Sequence, residues 1–300
     1  MQPIVDTHQH LWDLDKFHLP WLVDAPVLAH NFLTSDYLAA TAGLGVAKAV
    51  YMEVDVAPEQ QPAEADALIE LCADVETPTV AAVISGRPAS PHFGSYIRAY
   101  ASHPAIVGVR QVLHVPEAPP GLCLTPQYVE NIRLLGELGL CFDLCMRPRD
   151  LRDGAKLAAL CPDTRFVVDH CGNGDPYVIA GGAPLPDGNP FAHSREQWMD
   201  DMAALAARPN TICKISGIIA RARPGWTAAD LAPAINYCLD TFGFERVVFG
   251  GDWPVCTLGA ETSYAAWVTA LRGIVATRTP QEQAALFHDN AIAFYGLTEE

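Results

Sequence analysis

The first apolar run of the chain, Ile4-Val5-Asp6-Thr7-His8-Gln9-His10, closes on two histidines one residue apart. In an extended strand, residues i and i+2 face the same side, so these imidazoles converge on one volume. They could supply two arms of a metal site or part of an acid–base cluster, although the same spacing suits two surface histidines in a loop. The later strand candidates decide between these readings. Strand 2 ends on Glu53 and Asp55, strand 4 on Arg110 and strand 5 on Arg147. Strand 6 ends on Asp169-His170, strand 7 on Lys214 and strand 8 on Asp252-Trp253. Titratable residues collected at the C-terminal ends of otherwise apolar runs are not a random scatter. His8, His10, His170 and Asp252 would form either a three-histidine, one-carboxylate metal site or a metal-free acid–base set. Cys145 could add a thiolate, though a buried thiol is the simpler reading. Arg110, Arg147 and Lys214 could bind a carboxylate or several hydroxyls of a substrate, and their alternative is ion pairing within an acidic surround.

The elements that must position these groups are short apolar runs alternating with helical periodicity. The strand candidates are 4–7, 47–53, 80–84, 106–111, 141–146, 165–169, 211–216 and 246–250, each apolar on both faces, as parallel strands covered on both sides require. Between them, Ala65, Leu68, Ile69, Cys72 and Val75 make one stripe over 62–75, with Glu64, Asp66 and Glu70 elsewhere. Thr125-Pro126 and Thr227 read as helix starts, and Thr279-Pro280-Gln281-Glu282 as a capping box. Eight strands and about eight helices without a linker predict one α/β domain over residues 1–300, a (β/α)8 barrel, with an open doubly wound sheet as the alternative. A barrel would bring the strand ends to one mouth. The long segments 11–34, 114–124 and 171–194 would lie there as lids or substrate walls, the last rich in Gly and Pro. Trp12 and Trp21 would pack as plugs or form an apolar wall, and Trp253 would stand beside the substrate.

A net charge of −16 argues against nucleic acid or an anionic membrane as partner, and an anionic ligand would need a local basic cluster. Apolar runs fall short of a membrane span and no basic leader precedes one, so a soluble cytoplasmic protein acting on a small molecule is expected. The nine cysteines contain no C-x-x-C pair and read as reduced, mostly buried thiols. Nothing in the sequence sets an oligomeric state.

The segments Val5-Asp6-Thr7-His8-Gln9-His10-Leu11-Trp12, Val107-Gly108-Val109-Arg110, Val168-Asp169-His170-Cys171-Gly172-Asn173, Lys214-Ile215-Ser216-Gly217 and Phe249-Gly250-Gly251-Asp252-Trp253-Pro254 resemble, in order, those of the amidohydrolase superfamily and its lactonase branch. The resemblance implies a (β/α)8 barrel that hydrolyses a lactone at a strand-end cluster. His8, His10, His170 and Asp252 match the family's positions, with Asp252 deprotonating the attacking water. Two departures bear on the cofactor. Strand 5, Cys141-Phe142-Asp143-Leu144-Cys145-Met146-Arg147, lacks the histidine many metal-dependent members carry there, and strand 4 ends on Arg110 where some carry lysine. The resemblance therefore leaves open one divalent ion, zinc by its donor types, or catalysis without metal. Glu53 stands where relatives often carry an amide. The alternatives are a decarboxylase of an aromatic or muconate-type acid, an amide or phosphoester hydrolase, and a barrel that binds a sugar acid without turnover.

Overall fold

Eight parallel strands pair in sequence order: β1 (Ile4–Gln9), β2 (Val46–Met52), β3 (Thr79–Ser85), β4 (Ile106–Val112), β5 (Cys141–Cys145), β6 (Arg165–Val168), β7 (Thr211–Ile215) and β8 (Val247–Phe249). They belong to a computed structural model that describes residues 2–186 and 188–298. The seam between β1 and β8 is drawn together at the C-terminal end, where Asp252 N donates to His8 O (2.7 Å) and His10 N to Trp253 O (2.9 Å). The architecture is the (β/α)8 barrel, not the open sheet.

Outside the strands lie α1 (Thr34–Thr41), α2 (Gln61–Ala73), α3 (Phe93–Tyr100), α4 (Pro126–Glu137), α5 (Leu151–Leu160), α6 (Pro176–Ile179), α7 (Arg195–Ala206), α8 (Ala228–Phe242), α9 (Tyr264–Ile274), α10 (Pro280–Ala284) and α11 (Asn290–Tyr295). Among the described residues, no helix is long and apolar enough to cross a membrane. The box at α10 forms: Glu282 N donates to Thr279 Oγ1 (3.2 Å) and Thr279 N to Glu282 Oε2 (2.8 Å). At α4, Thr125 Oγ1 instead donates back to Leu122 O (2.9 Å), so Pro126 begins the helix without a side-chain cap. The α2 stripe is also corrected. The helix ends at Ala73, leaving Val75 91% exposed, while Glu64 turns inward to accept from Val54 N (2.9 Å).

The barrel interior is layered. Val5, Val50, Met52, Ala81, Val83, Cys141, Val167, Ile212 and Val248 fill the lower barrel as one apolar cluster. Because strand side chains repeat every two residues, the inward residues one step toward the mouth from Gly108, Cys141, Val167 and Ile212 are Arg110, Asp143, Asp169 and Lys214. A charged layer thus lies directly on the apolar one.

Candidate active site

Asp6 joins the two ends of the barrel at the site. Its Oδ1 accepts from His8 N (3.0 Å) and Gly251 N (2.6 Å), and its Oδ2 from Tyr37 Oη (2.8 Å) and Tyr264 Oη (3.0 Å). Four donors on one buried carboxylate fix β1 against the β8 end, and hence His8 and His10 against Asp252. The backbone there is unusual. His170 (φ 54°), Cys171 (φ 50°) and Asn173 (φ 56°) at the β6 end, and Asp252 (φ 55°) at the β8 end, are left-handed without being glycine. Such conformations cluster where structure is spent on aiming side chains.

His10 Nδ1 lies 2.9 Å from Met52 O, which can only accept. Nδ1 therefore carries the proton and Nε2 presents a lone pair, 3.5 Å from Asp252 Oδ1. Two acceptors facing each other at that distance call for a water proton or a cation between them. His8 is fully buried below: its Nδ1 faces Asp169 Oδ1 (3.5 Å) and Lys214 Nζ (3.2 Å), and its Nε2 accepts from Arg110 Nη1 (3.3 Å) and stands 3.8 Å from Asp252 Oδ1. His170 Nδ1 meets Ser216 Oγ (2.9 Å).

Burial dominates the protonation states. It lowers His8 well below the ordinary imidazole range, with Lys214 next in effect, lowers His10 to about 3 with Arg110 assisting, and lowers His170. Burial raises Asp252 to about 6. At neutral pH the cluster is three neutral imidazoles and a carboxylate of unusual basicity. Beneath it, Lys214 Nζ bonds Asp143 Oδ2 (2.7 Å) and lies 3.2 Å from Asp169 Oδ1. Burial alone would raise Asp169, but the Lys214 ammonium and His8 outweigh it and hold that carboxyl well below its usual range. Burial pushes Asp143 up to about 7 despite Lys214.

The cluster opens on a cavity of about 500 Å3, walled by His10, Trp12, Trp21, Arg110, Cys145, His170 and Asp252 together with His114, Asn173, Phe191 and Arg221. Trp12 and Trp21 meet edge to face (5.7 Å between centroids) and wall the cavity, while their indole N–H groups are fixed on His30 O and Val54 O. The two tryptophans are packed and exposed to ligand at once.

Four other residues expected beside the substrate lie elsewhere. Lys214 is fully buried under the histidines. Glu53 receives Arg110 Nε (2.7 Å) and Asp55 N (2.7 Å) below the floor. Arg147 holds the loop after β4 through Val115 O and Ala118 O and pairs with Asp150 (3.1 Å). Trp253 packs against Phe32 and Tyr37 and does not line the cavity. Sequence reasoning passed over Asp6 and Asp143, each a carboxylate inside an apolar strand run, a signal that was present, and it placed Asp169 at the end of strand 6 without giving it a role. It also passed over Phe191 and Arg221, which sit in loops with no such signal.

His8, His170 and Asp252 offer donor atoms that all lie within 4.8 Å of one another. Neutral imidazoles and a carboxylate are the donor types a small divalent ion takes, so the set fits one ion. A second set, Cys145, Asp169 and His170, shares His170; burial pushes its Cys145 thiol up, which keeps it protonated, and Asp169 is engaged by Lys214. The fit is to a single ion.

Gly217 offers a test of how tightly the histidines are held. Its φ is +66°, and a Cβ there would lie 2.4 Å from His170 Nδ1. Gly217→Ala should leave the fold intact yet displace His170, lowering kcat/KM about 100-fold, since a shift near 1 Å can cost that much. Steady-state kinetics alongside circular dichroism would check it, and an unchanged kcat/KM would show that His170 has slack.

An L-fucono-1,5-lactonase from Burkholderia ambifaria is 28% identical over 98% of this chain and 95% of its own. Amidohydrolase 2 from Bifidobacterium longum subsp. infantis superposes with a TM-score of 0.71 at 27% identity, over 99% of this chain and all of its own. An amidohydrolase from Burkholderia multivorans, solved with bound zinc, has the same fold (TM-score 0.81, 22% identity, 99% and 100% covered). The amidohydrolase family model matches residues 5–297, nearly the whole barrel, and the chain belongs to that family.

Proposed function

We propose that the protein is a lactonase that opens a sugar lactone or a related carboxylated lactone by base-activated attack of water. The observation that carries this reading is Asp252: a buried carboxylate raised to about 6, aimed at the His10 lone pair at 3.5 Å, on the floor of a ligand-sized cavity. The matching fuconolactonase supports the choice of ester.

Ester opening needs a deprotonated water, a stabilised oxyanion and a proton for the leaving alkoxide. Asp252 takes the water proton, and the His10 lone pair accepts the second O–H and orients the nucleophile. With Ser216 donating to His170 Nδ1, the His170 Nε2–H is left to hold the developing oxyanion. Arg110 stands beside it, its positive charge fixed by Glu53 and shielded from solvent. Protonated Asp252 then returns its proton to the alkoxide, leaving a hydroxyl and a carboxylic acid, and the acid loses the second water proton to solvent to become the carboxylate product. With the other tautomer of His170, in which Nδ1–H donates to Ser216 Oγ and Nε2 carries the lone pair, a divalent ion, zinc by its donor set, would be held by His8, His170 and Asp252 and would supply Lewis acidity and a more acidic water in place of the imidazole N–H.

The test is a panel of sugar lactones and carboxylated lactones in weak buffer with a pH indicator, run on protein of measured metal content before and after chelation. At least one lactone should release one proton per ring opened. CO2 release from an aromatic or muconate-type acid without net acid formation would make the protein a decarboxylase. Tight binding without turnover would make it a binding barrel.

A further inference from the structure

We propose that Arg221 is the receptor for a carboxylate carried by the substrate away from its reacting ester, so that the preferred lactones are anionic. The claim concerns substrate class and rests on the lactonase reading for the ring, though not for the anion.

Arg221 follows β7 in a short helical turn and lines the same cavity as His10, His170 and Asp252. Its guanidinium lies flat on Phe191, with Cζ 3.7 Å from the ring centroid, and Phe191 packs on His114 (5.2 Å). One polar contact accompanies the stack, Nη2 to Asn173 Oδ1 at 3.4 Å. Among the described residues, no carboxylate oxygen comes within 4 Å of it. Four other arginines differ: Arg110 has Glu53 (2.7 Å), Arg87 has Asp55 (2.5 Å), Arg147 has Asp150 (3.1 Å) and Arg223 has Asp175 (3.9 Å). In a chain of net charge −16, a cavity-lining cation without a carboxylate partner is conspicuous. Desolvation of a charge with no carboxylate in contact among the described residues is costly, and burial pulls this guanidinium down to about 10 against the more distant charges of Asp175 and Asp252.

The stack leaves the N–H edge of the guanidinium available, which is the geometry that grips a planar carboxylate at two points. Among the described residues that line the cavity, no other cation is placed to take this part. Arg110 is already engaged by Glu53 and His8, and burial keeps His114 neutral by lowering it to about 3. Arg221 is therefore the local basic element that an anion entering this acidic protein would need.

The experiment compares aldarolactones with the aldonolactones of the same configuration, which differ only in a terminal carboxylate or hydroxymethyl group. The wild type should favour the carboxylated member of the best pair at least tenfold in kcat/KM. Arg221→Met should cut that ratio at least tenfold, and Arg221→Lys should fall between, keeping the charge but losing the two-point grip. A wild type that prefers the neutral lactone, or a ratio that Arg221→Met moves less than tenfold, overturns the proposal. If no lactone is opened, the lactonase reading fails and calorimetry decides this one separately. The open-chain aldarates are titrated into wild type and Arg221→Met; affinity at least tenfold weaker in the variant upholds the receptor, and equal or absent binding in both overturns it.

Discussion

Asp252→Asn should lower kcat on the best lactone by about 1,000-fold, within the range of roughly 100- to 10,000-fold that a positioned general base supplies. The amide keeps the shape of the carboxylate, so KM should move far less than kcat. The pH dependence is a second readout. A base must be ionised to act, and burial raises Asp252 to about 6. Wild-type kcat/KM should therefore climb tenfold per pH unit below about 6 and level off above it. The same shift has the opposite sign for stability. With the folded-state value above the ordinary 3.8, the native protein binds this proton more tightly than the unfolded chain between about pH 4 and 6. Stability from this group is intact below that window and is lost as pH rises through it, on the order of 3 kcal/mol. Asp252→Asn should accordingly melt higher than wild type at pH 8 while being nearly inert, and a lower melting temperature there would count against the desolvated-carboxylate account. A variant that keeps wild-type kcat would remove Asp252 from the role of base.

How much of this was legible in the sequence depends on what kind of constraint each residue answers to. The strands could be read because both their faces are buried, which leaves unbroken apolar runs. The mouth could be read because the barrel gathers every strand end, which made neighbours of His8 and Asp252 across 244 residues. Depth could not be read. Lys214 and Arg110 both follow apolar runs, yet Arg110 reaches the cavity while Lys214 ends beneath His8 among Asp143 and Asp169. Trp253 looked like a ligand contact, but its ring turns to Phe32 and Tyr37 because its backbone is closing the β1–β8 seam. Arg221 gave no signal at all, since its setting comes from Phe191 on another loop and from having no carboxylate in contact among the described residues.

Lys214→Met should cost about 3–5 kcal/mol of stability, the range for removing one partner from a buried charge network. All three groups are fully buried, with the ammonium 2.7 Å from Asp143 and 3.2 Å from Asp169, so its loss strands carboxyls with no water to solvate them. The effect is conditional on those carboxyls, which separates it from simple loss of packing. In Lys214→Met/Asp143→Leu, the residue bonded most closely to the ammonium becomes apolar, and Asp169 keeps His8 (3.5 Å) and Arg110 (3.8 Å). At least half of the lost stability should return, measured by denaturant unfolding. Activity should follow a different course. Burial and then the Lys214 charge keep His8 from taking a proton. Without the ammonium, the His8–Asp169 pair should hold a proton to higher pH, adding a second protonation that shifts and steepens the lower part of the acid limb Asp252 sets, in the single and double variants alike. Stability that recovers while the acid limb stays shifted would show two separable roles for Lys214, one in neutralising the charged layer and one in keeping His8 neutral. A single variant as stable as wild type would mean that the layer is held by something other than its charges.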